Sequence, residues 1–147
     1  MTEVHVALGV ALIVLNLVAG AWGAWAWYRV EPAPQFWPLL RAAQAVVVVQ
    51  VLFGGVLYLT DHRPSGNLHI LYGALPVAVM FIAEQLRVAS AEAVLEARGL
   101  ENAEAVGALP EADQRSVVLQ IVRRETGIMA ASALVIVALA LRAATTG

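Results

Sequence analysis

The sequence predicts an all-α integral membrane protein: a four-helix up-down bundle whose third and fourth helices project into the cytoplasm as a helical hairpin. Three observations carry this. Of 147 residues, 61% are hydrophobic and only 14% charged, with a mean hydropathy of +0.76; a soluble domain carries about a quarter charged residues. Four stretches, about 4–28, 42–60, 68–83 and 126–141, are apolar and contain no Asp, Glu, Lys or Arg. The basic residues, all arginine, are distributed unevenly between the segments that join these stretches.

A bilayer core about 30 Å thick requires roughly 20 helical residues. Val4–Tyr28 and Ala42–Thr60 meet that length, whereas Leu68–Ala83 and Thr126–Leu141 are short. Both short stretches continue as amphipathic helix, through Glu84–Arg98 and about Ala112–Glu125. The third and fourth helices are therefore expected to run past the membrane as a hairpin over about 84–125. Its tip is the loop around Gly99–Pro110, marked by Gly99, Asn102, Gly107 and Pro110. Residues 1–147 read as one domain, with no internal repeat and no soluble second unit. The first stretch is not expected to be a cleaved signal, because Met1-Thr2-Glu3 lacks basic residues and the apolar run is too long.

Arginine placement sets the expected orientation. Arg29, Arg41, Arg87, Arg98, Arg115, Arg123 and Arg124 fall on one side, against Arg63 and Arg142 on the other. The positive-inside rule puts the arginine-rich side in the cytoplasm. Both termini and the Asp61–Asn67 loop then lie outside, in a plasma (inner) membrane. Trp22, Trp25, Trp27, Tyr28, Phe36 and Trp37 cluster at the cytoplasmic boundary, the place for interfacial aromatics. A net charge of −2 argues against a nucleic-acid partner. The absence of cysteine excludes disulfides, thiolate metal sites and a thiol nucleophile.

Under this topology all three histidines lie on the outer side. His5 opens the first helix, His69 opens the third and His62 sits in the loop before it. The first and third helices of an up-down bundle are diagonal, so their inner faces meet across the core. Two histidines at one depth on such helices have the placement of axial heme ligands. Glycine follows each at i+4, as Gly9 and Gly73, leaving a patch without side chains one turn below, on the same face. Gln50 and Gly54 repeat the spacing on the second helix, with Gly55 adjacent. Two readings stay open at this point: a porphyrin face, or small residues that only let membrane helices pack closely.

The segment Gln50-Val-Leu-Phe-Gly54-Gly-Val-Leu, followed by Asn67-Leu-His69-Ile-Leu-Tyr72-Gly73, resembles the third and fourth helices of a four-helix half of heme A synthase. In that family a Gln-x-Leu-x-Gly helix leads through a short outer loop into a Leu-His-x-x-aromatic-Gly helix whose histidine ligates heme. The first helix here, with His5 and Gly9, is similar to the family helix that carries the partner ligand. The resemblance covers residues up to about 85 and implies that His5 and His69 form an axial pair on the outer side. Two departures stand out. Val6 follows His5 where the family usually has arginine, and the family's preceding helix and catalytic outer loop have no counterpart. Heme A synthesis is therefore not expected of this chain, and a heme b bundle is.

Other polar residues have plainer expected roles. Arg63 is placed either on heme propionates or in solvent, and His62 and Asp61 are read as non-ligands. Tyr72 and Met80 share the His69 face, Met80 being about 16 Å deeper at 1.5 Å per residue. Glu84, at the inner end of the third span, is expected to pair with Arg123 or Arg124. Asn16 and Gln44 are expected to make interhelical hydrogen bonds. In the hairpin, Val94 and Leu95 are expected to meet Val118, Ile121 or Val122 along an antiparallel seam. The function expected is one-electron transfer or heme handling by a bis-histidine heme b, with a redox partner, membrane-complex subunits or a second copy as companions. The alternative is a non-catalytic accessory subunit of a membrane complex. A transporter ranks third, because only Pro76 interrupts a span and no inverted repeat is present.

Overall fold

The computed structural model describes residues 2–60 and 66–146. Among them it forms helices and no strands: α1 (Thr2–Arg29), α2 (Phe36–Leu59), α3 (Asn67–Ala97), α4 (Ala103–Gly107) and α5 (Glu111–Ala144). Four segments, Glu3–Arg29, Phe36–Leu59, Asn67–Ala97 and Glu111–Ala144, are long and apolar enough to cross a membrane. They make the chain a multi-pass membrane protein in build. α3 and α5 are about 46 and 51 Å long at 1.5 Å per residue, well beyond a core of about 30 Å.

α2 begins at Phe36, not at the first uncharged residue after Arg41. A charge does not end a helix, and Arg41 stays inside this one because its side chain finds a carboxylate on α3. Pro76 sits inside α3. It has no N–H for the Tyr72 carbonyl, a gap that membrane helices tolerate when neighbours pack around it.

α1 packs on α2 and on α5, α5 packs on α3, and α2 touches α3 only lightly. Small residues make this possible. Ala19, Ala83, Ala130 and Ala133 share one core cluster with Phe36, Leu40 and Met129, and a second joins Leu12, Val47 and Ile136. At Gly23, α1 lies tight against both α2 and α5: a Cβ there would lie 2.6 Å from Phe36 Cε2 and 2.8 Å from Ala130 Cβ.

Beyond the apolar spans the ends of α3 and α5 are tied together. Val94 and Val117 are each 1% exposed, so the seam runs through Val117; Val118, expected there, is 49% exposed. One residue is 100° of helix rotation, enough to move a side chain from the seam to the surface. Arg98 donates to Ser116 Oγ and Gln120 Oε1, both at 3.1 Å. Gln114 Nε2 donates to the Gly107 and Leu109 carbonyls at 3.1 and 2.8 Å, pinning the tip.

α1 and α3 end in the same turn. Val30 N–H donates to Trp27 O and Glu31 N–H to Ala26 O, as Gly99 N–H does to Glu96 O and Leu100 N–H to Leu95 O. This Schellman geometry needs a left-handed residue. Gly99 supplies it at φ 67°, but after α1 the position is Val30, at φ 57°. A β-branched residue there is strained. Val30→Gly is therefore expected to raise stability by about 0.5–1 kcal/mol once the entropy of glycine is counted. Thermal unfolding in detergent reads this directly, and an unchanged midpoint would contradict the strain.

Where α3 and α5 leave their apolar stretches, Glu84 is partnered, but not as expected. It is bound by Arg41 of α2 and by Arg87 on its own helix (Nε–Oε2 3.0 Å), while Gln44 Nε2 donates to it at 3.3 Å. Arg87 also reaches Glu125 of α5 at 3.2 Å. The expected partners are elsewhere: Arg123 lies over the Trp27 ring at 5.3 Å, and Arg124 has no bonded partner among the described residues. The reason is rotational phase, since the α5 residue that faces α3 at this level is Glu125. Gln44 makes its expected interhelical bond. Asn16 does not, because Nδ2 donates to Leu12 O on its own helix at 2.9 Å. The two carboxylates and two guanidiniums join three helices where α2 and α3 otherwise barely meet. Glu84→Gln is expected to cost about 1–2 kcal/mol. Adding Arg41→Gln should recover part of that loss in a double-mutant cycle, and strict additivity would contradict the coupling.

Candidate functional site

The opposite end of the bundle brings together residues from all four long helices. His5 is on the first turn of α1 and His69 on the first turn of α3, so both rings enter at one level. Their ring centroids are 6.1 Å apart with 55° between planes. Phe53 of α2 also stacks on His5, at 6.5 Å and 17°.

The hydrogen bonds assign protons. His69 Nδ1 lies 2.9 Å from the Ala143 carbonyl of α5. A carbonyl only accepts, so Nδ1 carries a proton, and in the neutral ring Nε2 keeps its lone pair. This is the arrangement of a ligating histidine oriented by a backbone acceptor. His5 Nε2 lies 3.4 Å from Gln50 Nε2, whose N–H donates to it. His5 Nδ1 and Gln50 Oε1 are then buried without partners; the only other such side-chain atom among the described residues is Asn16 Oδ1. Each orphan costs about 1–3 kcal/mol, and two of the three lie in this cluster.

The glycines divide into two kinds. A Cβ on Gly54 would meet His5 Cε1 at 3.1 Å, and one on Gly9 would meet Gln50 Nε2 at 3.3 Å. These two let α1 and α2 close around the His5–Gln50 pair. Gly73 and Gly55 have nothing within 4 Å of such a Cβ, so they leave open surface on α3 and α2. Arg63, with His62 and Asp61, lies outside the described residues. Met80 packs deeper, against the Leu12, Val47 and Ile136 cluster.

Three participants have little signal in the sequence. Ala143 acts through its carbonyl, which every residue has. Phe53 is one more apolar residue in an apolar helix. Arg142, whose guanidinium lies 5.9 Å from the centre of the Tyr72 ring, could have been found as the charge that ends the fourth stretch. No group of three or more histidine and acidic side chains able to hold a metal ion occurs among the described residues, so the two imidazoles stand as a pair.

No protein-family model, curated protein or solved structure matches the chain.

Proposed function

We propose that the chain binds one heme b between His5 and His69 and serves as a membrane electron carrier. The observation that supports this is the imidazole pair, with centroids 6.1 Å apart across the bundle. Two imidazoles on one metal at about 2 Å place their ring centres about 6 Å apart.

Heme, held by the His5 and His69 imidazoles, would supply a one-electron Fe(III)/Fe(II) couple. The chain's own residues do the rest. Ala143 O holds His69 in the tautomer that leaves Nε2 free, Phe53 stacks on the His5 ring, and Gln50, whose N–H takes the His5 Nε2 lone pair, would give up that contact for His5 to ligate. Arg142 puts a cation at this end of the bundle, favourable to heme carboxylates. Contact between α2 and α3 is light, and Gly55 and Gly73 leave open surface on these two helices where a planar ring would lie. In this reading the four spans run up and down, the histidine end faces outward and the hairpin lies in the cytoplasm. The similarity of the Gln50–Gly54 and His69–Gly73 segments to heme A synthase supports the same placement.

Titration of the detergent-purified protein with hemin tests the proposal. The expected result is a Soret band that saturates at one heme per chain in the wild type and is lost in His5→Ala and His69→Ala. Identical titrations of the wild type and both variants would overturn it, leaving the reading of a non-catalytic membrane subunit.

A further inference from the structure

A second site lies at the other end of the bundle. A groove of about 700 Å³ runs along α5, lined by Arg124, Gly127, Ala131 and Leu134, with Ala24 of α1 and Ser90 of α3 among its walls. That volume is within the range of about 300–1,000 Å³ usual for small-ligand sites. Trp27 makes one wall by lying against Gly127, where a Cβ would sit 2.7 Å from its ring.

The chemistry of the groove changes along its length. Arg124, at one end, is exposed and has no hydrogen-bond or ion-pair partner among the described residues. Its neighbour Arg123 lies over Trp27, and such tryptophans mark the level of the membrane interface. From Arg124 the α5 floor is apolar as far as Leu134. That distance is about 15 Å at 1.5 Å per residue, half of a core about 30 Å thick. A cation at the interface over an apolar trough one leaflet deep is complementary to a single kind of molecule. We infer that this groove holds an anionic phospholipid, its phosphate on Arg124 and one acyl chain along Gly127, Ala131 and Leu134. A protein helix would fill the trough but leave the Arg124 charge unanswered, whereas an anionic headgroup supplies the counter-charge directly.

Native mass spectrometry of the detergent-purified protein, titrated with dioleoyl phosphatidylglycerol or dioleoyl phosphatidylcholine, tests this. The expected result is one tightly held phosphatidylglycerol per chain, preferred over phosphatidylcholine by about five- to tenfold. Arg124→Gln should erase the preference. Ala131→Phe, a substitution at an exposed position, should displace the lipid by filling the trough. Arg115→Gln removes the same charge from the hairpin and should change neither. Equal binding of the two lipids, or a preference unaltered in Arg124→Gln and Ala131→Phe, would overturn the inference. So would displacement by glycerol 3-phosphate at matched concentration, which would mark a free-anion site, or a stable dimer that covers the groove.

Discussion

His69→Ala is expected to yield a protein that folds, remains in the membrane and retains no heme. The His69 ring does two things at once: its centre lies 6.1 Å from that of His5, and it anchors α3 to the Ala143 carbonyl at the end of α5. Loss of residues that merely support a ligand costs about 10–100-fold in affinity, and loss of the ligand itself should exceed that. Heme affinity in His5→Ala should fall as far, and the double variant should be little worse than either single one, because the two imidazoles act as a unit. His69→Gly in added imidazole is the sharper form of the experiment. Recovery of the heme spectrum with free imidazole separates ligation from folding. Wild-type heme binding in both alanine variants would show that neither ring is a ligand. Gln50→Leu should lower heme affinity far less than loss of either ring, because Gln50 contacts His5 and is not itself a ligand.

Gly23→Leu is expected to disrupt the assembly of α1, α2 and α5. The added Cβ would lie 2.6 Å from Phe36 Cε2 and 2.8 Å from Ala130 Cβ, and Ala130 belongs to a helix that cannot yield alone. Overpacking of a tight contact costs about 1–3 kcal/mol, and a leucine forced between three helices belongs at or beyond the top of that range. Gly55→Ala provides the contrast. Nothing lies within 4 Å of its new Cβ, so replacing glycine within a helix should stabilise by about 0.5–1 kcal/mol. Thermal melts in detergent should move in opposite directions for the two variants. A Gly23→Leu melt as high as the wild type's would contradict the close approach.

These residues also show what the sequence discloses. Hydropathy finds all four long helices, because membrane length and the cost of buried charge leave few alternatives. The continuation of α3 and α5 past Glu84 and Glu125 is legible in their amphipathic pattern, and the turn near Gly99 in its punctuation. Rotation about each helix axis is far less legible. Arg124 and Glu125 differ by one residue, yet Glu125 joins the charge network and Arg124 faces outward; Val117 and Val118 divide in the same way. The level of Glu84 is readable by counting, but its partner is not, and Arg41 on α2 takes the place expected of α5. At the other end, the i+4 glycines mark the helix faces that carry His5 and His69. The sequence does not say which glycines close a contact and which leave a surface open. Gly54 and Gly9 close one; Gly73 leaves one open. The Val30 turn is missed for a different reason, since a left-handed valine runs against its own local preference.

The most direct test of the central claim is a reduced-minus-oxidised absorption spectrum of the protein purified in detergent from heme-replete cells. The account predicts the sharp α and Soret bands of a six-coordinate low-spin heme, absent from His5→Ala and His69→Ala. A colourless protein from those cells, or a heme spectrum unchanged in both variants, would contradict it.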